Sequence, residues 1–455
     1  MLGFAGRTIL LLCVCGFAPI ALAQVSAEEA ARLGQDLTPV GAERAGNAEG
    51  TIPEWTGGLT EPPEGWTWEQ PRVDPYEGER PLFSIDASNV DEHADKLSEG
   101  QLALLRTVKG YRMDVYPTHR SCGYPEWIYE RTKSNATEAS LDEDDIFLEK
   151  GWHSFLFPIP QSGAEAIWNH QYSYFTQGKI EYYAAAAPTK SGSFVPVRHK
   201  RTYLTRFFNP EWKSLEQAKG RSASIVLERT APARLAGQIV LVHEMLNEQR
   251  HAWVYNAGQR RVLRAPTVAY DNPYAGSENM MTNDQSRMFN GLLDRFDWKL
   301  KGKRELYVPY NAVATSQGQG LTYKEVLGPK FPRRDLIRYE LHRVWVVEAT
   351  VKAGQRHVYS RRVFYLDEDS WLAVVHDMYD KEGNLWRTME GLVLPISEVP
   401  TCDLDVTFSY DLVAGRYVAD TIKMEEPPSD WRAGEEGRVP EGIFTPDALR
   451  RMGRR

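Results

Sequence analysis

The fold is decided by residues 343–393, which read RVWVVEATVKAGQRHVYSRRVFYLDEDSWLAVVHDMYDKEGNLWRTMEGLV. The segments 343–351, 356–366, 371–379 and 385–393 are rich in Val, Trp, Tyr and Phe, and in the first the apolar Trp345, Val347, Ala349 and Val351 recur at every second position. Short turns containing Gly, Asp or Asn separate these segments. Period-two alternation between such turns predicts antiparallel strands joined by hairpins.

The same pattern extends outward in both directions along the chain. Apolar or alternating segments lie at 239–245, 251–255, 261–265, 406–412 and 416–419, again with Gly or Asn in the intervening turns. A long meander leaves unpaired edges unless it rolls into a barrel or packs against helices. The sequence therefore predicts a mainly β fold with some helices (α+β), built on one large antiparallel sheet.

Helices are predicted where a capping residue precedes apolar residues at helical spacing. In residues 89–108 the pair Ser98 and Gln101 has capping-box spacing, and Thr282 and Gln285 have the same spacing before Met288. The predicted helices are a short one after Ser26, residues 89–108, 162–170 and 282–293, and a terminal one from Thr445.

The N-terminal region has the pattern of a secretory signal peptide. Arg7 is followed by a short apolar run that ends in Ala21-Leu22-Ala23. A basic start, a short apolar stretch and small residues before the cleavage site predict export to the periplasm with cleavage after Ala23. Residues 1–23 are thus the predicted signal peptide. Residues 24–85, rich in Gly, Pro and Trp, are predicted to form an extended arm, and residues 86–455 a single domain.

Composition and cysteine count exclude some classes of function and leave one question open. The chain has 455 residues, a net charge of −8 and a pI near 5.8, so its bulk charge does not favour a nucleic-acid partner. Four cysteines become two after processing, Cys122 and Cys402. In an oxidising periplasm these two residues form either a disulfide or a pair of buried thiols.

Motifs for catalysis, metal binding or cofactor binding are not found, and neither an enzyme nor a cofactor is expected. The sequence contains no P-loop, no Gly-x-Ser-x-Gly and no Cys-x-x-Cys. Basic clusters stand out instead, at 118–120, 259–261 and 198–201, the last close to Tyr203. Arginine beside aromatic residues can frame an anionic headgroup, and it can equally form salt bridges to acids on neighbouring strands.

Several longer motifs together resemble a family of proteobacterial periplasmic proteins, the domain of unknown function 1329 family, often labelled outer-membrane lipoprotein-sorting protein. The motifs lie at 37–47, 51–58, 94–101, 116–120, 168–170, 258–261, 270–273, 294–298, 307–311, 340–348 and 364–369. The resemblance implies a fold similar to the LolA and LolB carriers, an unclosed β-barrel in which helices plug a strongly curved antiparallel sheet. It also implies neighbouring exporters of the resistance-nodulation-division (RND) type.

The leading functional hypothesis is a carrier for a lipid or other hydrophobic molecule. It would serve an RND-type exporter or an outer-membrane protein. The alternatives are a structural or adaptor subunit of an RND-type export complex and an envelope hydrolase. A carrier predicts a deep apolar cavity, an adaptor a flat exposed apolar patch, and an enzyme convergent titratable groups in a cleft. The predicted ligand-binding residues are Trp345, Trp371, Trp386, Tyr359, Phe364, Met288, His119, Arg120, Arg260 and Arg261.

Overall fold

A computed structural model describes residues 25–153, 155–212, 214–266 and 270–453. The predicted signal peptide, residues 1–23 with cleavage after Ala23, lies outside these described residues. Within them, no helix combines the length and the apolar character that crossing a membrane requires.

Strands dominate the described part of the chain. They are β1 (Phe83–Ile85), β2 (Met113–Val115), β3 (Ser140–Leu141), β4 (Leu148–Lys150), β5 (Ile180–Ala186), β6 (Val197–Leu204), β7 (Arg221–Ala231), β8 (Ile239–Met245), β9 (His251–Asn256), β10 (Arg261–Arg264), β11 (Phe296–Pro309), β12 (Arg338–Val351), β13 (Arg361–Asp367), β14 (Ala373–Tyr379), β15 (Leu385–Ile396), β16 (Thr401–Asp411) and β17 (Arg416–Ile422).

One large sheet contains all of these strands except the β3–β4 hairpin. Its main order is β11-β12-β13-β14-β15-β16-β17-β5-β6-β7-β8-β9-β10, and β1 and β2 join it at the start of β12. The β2–β12 pair is parallel and the pairs along the main order are antiparallel. Among the described residues β10 and β11 do not pair with each other, so the sheet is unclosed. The predicted mainly β fold with an unclosed antiparallel sheet is confirmed.

The helices are short, and four of them follow caps that the sequence predicts. They are α1 (Ala27–Ala30), α2 (Glu99–Thr107), α3 (Glu126–Glu138), α4 (Gly163–Gln171), α5 (Leu215–Ala218), α6 (Tyr323–Val326) and α7 (Pro446–Met452). The hydroxyls of Ser26, Ser98, Ser162 and Thr445 each accept a hydrogen bond from a backbone N–H in the first turn of α1, α2, α4 and α7. The helices predicted after Ser26, over residues 162–170 and from Thr445 are confirmed. The one predicted over residues 89–108 is confirmed only from Ser98 on, because Val90–Lys96 form a separate 3-10 helix and Leu97 is extended.

The helix predicted over residues 282–293 is wrong. The capping box of Thr282 forms, but it starts only a 3-10 turn, Asn283–Gln285. Arg287 and Met288 then have φ values of 54° and 69°, which ends any helix. The Arg287 side chain is drawn to Asp403, with Nε 2.9 Å from Oδ1, and Asp284 is drawn to Arg362. Long-range ion pairs thus override the helical spacing of the apolar residues.

The main sheet divides into a packed half, β12–β17, and an open half, β5–β10. Every residue of β14 and β16 is buried, because the packed half is covered on both faces. Ile167 of α4 packs in the core on one face, and Leu104 of α2 packs in the core on the other. In the open half one face is covered by α7 through Leu449, while β7 alternates between buried and partly exposed residues.

The N-terminal segment from residue 25 lies against the packed half. Trp55 is buried, and its indole N–H donates to the carbonyl of Cys122 at 3.1 Å. The carbonyl of Val40 accepts a hydrogen bond from the indole of Trp371 at 2.9 Å. Cys122 is joined to Cys402 by a disulfide, with the Cα atoms 5.5 Å apart. Of the two states left open by the sequence, the structure has the disulfide, which ties the segment after β2 to β16.

Candidate functional site

The aromatic residues and the methionine that the sequence predicts as ligand-binding lie in or against the core of the packed half. Trp371, Tyr359, Phe364 and Met288 are fully buried there, and Trp371 stacks on the partly buried Trp345 with ring centroids 6.1 Å apart. Trp386 is also partly buried and donates to Asp411 at 3.1 Å. None of these six lines the cavities described below. Their ligand-binding role stays a prediction.

The predicted basic residues are separated by the fold. Arg260 and Arg261 are exposed at the β9–β10 hairpin. His119 stacks on Tyr76 and contacts Glu79. Arg120 is buried, with Nε 2.8 Å from Oδ2 of Asp369 and Nη2 2.7 Å from Oδ1. None of the four predicted basic residues lines the cavities described below.

Arg120 belongs to a buried ionic cluster in which three sequence motifs meet. His342 Nε2 lies 3.3 Å from Glu340 Oε2, and Nδ1 lies 3.5 Å from Asp367 Oδ1. Burial alone would lower the pKa of His342, but Asp367 and Glu340 outweigh it and raise the pKa to about 9. The imidazole is therefore protonated at neutral pH.

The side chains of His342, Asp367 and Asp369 are close enough together to hold a metal ion. Their existing partners disfavour that role. Both oxygens of Asp369 already accept from Arg120, and a protonated imidazole has no lone pair for a metal. The arrangement is that of a buried ion-pair cluster, which links the segment after β2 to β12 and β13.

A cavity of about 560 Å³ lies against the open half. This size falls within the range of about 300–1,000 Å³ that is typical of small-molecule sites. Its floor is the face of β5–β9 opposite α7, and its roof is a cover segment that we define as residues 272–290. The lining residues are Tyr183, His199, Arg201, Tyr203, Ile225, Leu227, Arg229, Gln238, Val240, Val242, Glu244, Arg250, Val254, Asn272, Pro273, Tyr274, Ala275, Asn283, Ser286 and Asn290.

The floor is apolar in its middle because β-pairing aligns aliphatic residues from neighbouring strands. Leu227 of β7 is the partner of Val240 of β8, which is in turn the partner of Val254 of β9. One step along the strands, Ile225 is the partner of Val242. Side chains that are directly opposite on one face lie about 5 Å apart, so these five form a continuous apolar patch.

At one end of this patch lies a polar row, which we define as Tyr183, His199, Arg229 and Gln238. Tyr183 pairs with His199, and His199 pairs with Arg229. The backbone N–H of Arg229 donates to the carbonyl of Gln238 at 2.9 Å, which places Gln238 beside it, immediately before β8. Tyr183 and His199 stack with ring centroids 4.8 Å apart.

Two features set the electrostatics of the polar row. Burial, helped by the neighbouring Arg229 and Arg201, lowers the pKa of His199 to about 3, so this imidazole is neutral at pH 7. Arg201 forms an ion pair with Glu181, with Nε 2.6 Å from Oε1. The neutral histidine can both donate and accept a hydrogen bond.

The cover segment is fixed at its C-terminal end by buried polar contacts with the packed half. Arg287 pairs with Asp403 at 2.9 Å, and Asp284 pairs with Arg362 at 2.7 Å. Gln285 accepts a hydrogen bond from the hydroxyl of Tyr359 at 2.8 Å. The cover segment is thus anchored to the packed half and extends over the open half.

A second cavity, of about 580 Å³, adjoins the first. The two share Arg229, Pro273, Tyr274 and Ala275, so Arg229 of the polar row lies between them. The second cavity is also lined by Phe194, Val195, Val197, Arg234 and Leu235.

The basic cluster at 198–201 is the sequence signal that points to this site. Its residues alternate between the two faces of β6. Arg198 pairs with Glu425 and Glu426, whereas His199 and Arg201 line the cavity. The salt-bridge hypothesis holds for Arg198 and also for Arg201, which pairs with Glu181. The role in framing an anionic headgroup stays a prediction. The apolar floor and Arg229 were missed, because their juxtaposition depends on pairing between strands.

Comparison with known proteins identifies the family. The sequence profile of the family described as "Protein of unknown function (DUF1329)" matches residues 84–450. The chain belongs to this family. The resemblance found in the sequence motifs is confirmed. Over 439 residues, or 95% of each protein, the chain is 42% identical to "Uncharacterized protein PA3922" of Pseudomonas aeruginosa strain PAO1.

Solved structures similar to this DUF1329 member include a DUF1329 family protein from Desulfovibrio piger. That comparison has 15% identity and a TM-score of 0.42, and covers 63% of this chain and 97% of the other. A second is the LolA superfamily protein NE2245 from Nitrosomonas europaea, with 13% identity and a TM-score of 0.35, covering 63% of this chain and 99% of the other.

Proposed function

We propose that the protein is a periplasmic carrier for a lipid or other hydrophobic molecule that serves envelope export or outer-membrane delivery. The observation that carries this proposal is the cavity of about 560 Å³ with its aliphatic floor under the cover segment. Exposing an acyl chain to water costs about 0.8 kcal/mol per CH₂. A molecule with a long chain therefore needs a shielded apolar surface to cross an aqueous compartment.

The cover segment suits a site that must load and release. Its C-terminal end is held by Arg287 and Asp284, while Asn272–Ala275 form the part of the roof between the two cavities. Movement of the roof at Tyr274 would join the cavities without breaking the buried ion pairs. We propose that cargo enters and leaves at this end.

The carrier proposal is tested by native mass spectrometry of the protein purified from the periplasm, with solvent extraction of bound molecules. We expect a reproducible co-purifying lipid. Val242→Trp places an indole in the cavity and should reduce the bound lipid at least tenfold. Leu263→Trp is the matched control, because Leu263 is 54% exposed on β10 and should leave lipid content unchanged. A wild-type protein that stays lipid-free after incubation with an envelope lipid extract would exclude the carrier.

A lipid-free result would favour the second candidate, a structural or adaptor subunit of an RND-type export complex. The feature that favours it is a set of exposed apolar side chains before β2. Val73 is 52% exposed and Leu82 is 64% exposed. A groove of about 340 Å³ also lies between residues 59–75 and Leu394 and Pro395. Exposed apolar surface of this kind is typical of protein docking sites.

A further inference from the structure

Three members of the polar row carry buried polar atoms that have no hydrogen-bond partner in the described residues. His199 is 2% exposed, yet neither ring nitrogen has a partner within the described residues. The same holds for Nε of Arg229 and Oε1 of Gln238. Buried polar atoms in folded proteins are nearly always hydrogen-bonded, so a row of unpaired ones along one cavity wall indicates a place for a polar ligand group.

The charge of that ligand group follows from Arg229. The other arginines of the cavity have carboxylate partners: Arg201 pairs with Glu181, and Arg250 pairs with Glu244. Nε of Arg229 has no hydrogen-bond partner in the part of the chain that the structure describes. Burial lowers the pKa of Arg229, and the neighbours that also shift this pKa are Tyr274 and Tyr183 rather than a carboxylate. A half-buried guanidinium without a carboxylate is matched by an anion, and its planar fork binds a carboxylate or a phosphate through two parallel hydrogen bonds.

The neighbours of Arg229 define the rest of the ligand. His199, directly opposite on β6, is neutral and can donate one further hydrogen bond to an anion held by Arg229. Next to the polar row, the patch of Leu227, Val240 and Val242 offers only aliphatic surface. One end of the site therefore fits an anionic head, and the other fits a hydrocarbon chain.

We infer that the cargo is an amphiphile with an anionic headgroup, a carboxylate or a phosphate, held by Arg229 and His199 with its chain on the aliphatic floor. This inference rests on the proposed carrier function and specifies its substrate class. Arg229 also lines the second cavity together with Arg234. The headgroup therefore reaches Arg229 from that side while the chain passes beneath Tyr274.

The inference is tested by isothermal titration of the delipidated full-length mature protein with four probes, each below its micelle-forming concentration. The probes are palmitate, palmitoyl lysophosphatidate, monopalmitoylglycerol and inorganic phosphate. We expect palmitate or lysophosphatidate to bind at least tenfold more tightly than the neutral monoglyceride. Inorganic phosphate should bind at least a hundredfold more weakly than lysophosphatidate, because it lacks the chain.

The matched variants are Arg229→Gln, His199→Gln and the control Arg356→Gln, which removes an exposed arginine far from the cavity in sequence. Arg229→Gln should weaken binding of the anionic amphiphile about tenfold and change binding of the monoglyceride less than twofold. His199→Gln should have a smaller effect in the same direction, and Arg356→Gln should have none.

The possible failures are distinguishable. If the neutral monoglyceride binds as tightly as the anionic probes in the wild-type protein, the headgroup inference is overturned and the carrier proposal stands. If inorganic phosphate binds as tightly as lysophosphatidate, the site is one for a free anion and the inference fails. If no amphiphile binds, the carrier proposal itself fails.

Discussion

The packed half and the open half of the sheet are built from the same antiparallel hairpins but differ in where their unpaired polar atoms lie. Those of the packed half, such as Nδ1 of His376, are enclosed in the core, whereas those of the polar row face a cavity. In the packed half Asp377 accepts from Ser98, Thr388 and the backbone of Gly100. In the open half the ring nitrogens of His199 have no partner in the described structure. Strand pairing alone therefore does not decide whether a sheet face becomes part of the core or lines a site. The segments that cover the face decide it.

The comparison predicts a large difference in the cost of removing an apolar side chain. Phe364 is fully buried in the packed half, where it stacks on His376 with ring centroids 4.0 Å apart. Phe364→Ala should lower the free energy of unfolding by about 3–5 kcal/mol, because a buried cavity remains. Leu227→Ala should cost only about 1 kcal/mol, because its side chain already borders empty space.

Guanidinium denaturation followed by tryptophan fluorescence measures both changes. Equal losses of stability in the two variants would contradict the division into halves.

The disulfide gives the next largest expected effect. It closes a loop between residues separated by 280 positions and so restricts the unfolded chain strongly. Replacing both Cys122 and Cys402 by Ala should lower the free energy of unfolding by about 3–4 kcal/mol.

Amphiphile binding by the folded variant should remain unchanged, because neither cysteine lines the cavity in the open half. Titration calorimetry under native conditions checks this, and weakened binding would show that the halves are coupled through the bridge.

His342 predicts a smaller, pH-dependent effect in the packed half. Its folded pKa of about 9 exceeds the unfolded value of 6.5, so its stabilisation is fully present below pH 6.5 and is lost as pH rises through 9. His342→Gln should cost about 2–3 kcal/mol at pH 6 and much less at pH 10.

Denaturation of the wild type and the variant at matched pH isolates this contribution from those of other groups. A difference that does not change with pH would show that folding leaves the pKa of His342 unshifted.

The sequence predicted the packed half well because its alternation and turns are local. The strand β14 and the turn before Leu385 follow directly from the residue pattern. The sequence failed at residues 282–293, where Asp284 and Arg287 are drawn to side chains from β13 and β16. Such long-range partners cannot be inferred from the local spacing of residues.

The candidate site was predicted only in part, for a related reason. The cluster at 198–201 marked β6 as a place where an anion could bind, but the partner Arg229 comes from β7. In a strand, a shift of one residue exchanges the two faces, so the pattern could not say that His199 and Arg201 face the cavity. The same ambiguity between faces affects the ligand-binding role predicted for Trp345 and Trp371, which lie in or against the core of the packed half.

The seam between β17 and β5 fixes an order of assembly. Only Ala419 with Ala186 and Ile422 with Ala184 are in register there, and these residues come from distant parts of the chain. Each half can fold through neighbouring hairpins, whereas joining them requires a long loop to close, which is slow. A chain made from its N-terminus therefore presents the aliphatic floor of β7 and β8 before β17 exists. During that interval the aliphatic floor is uncovered, and a chaperone would have the most apolar surface to shield from water.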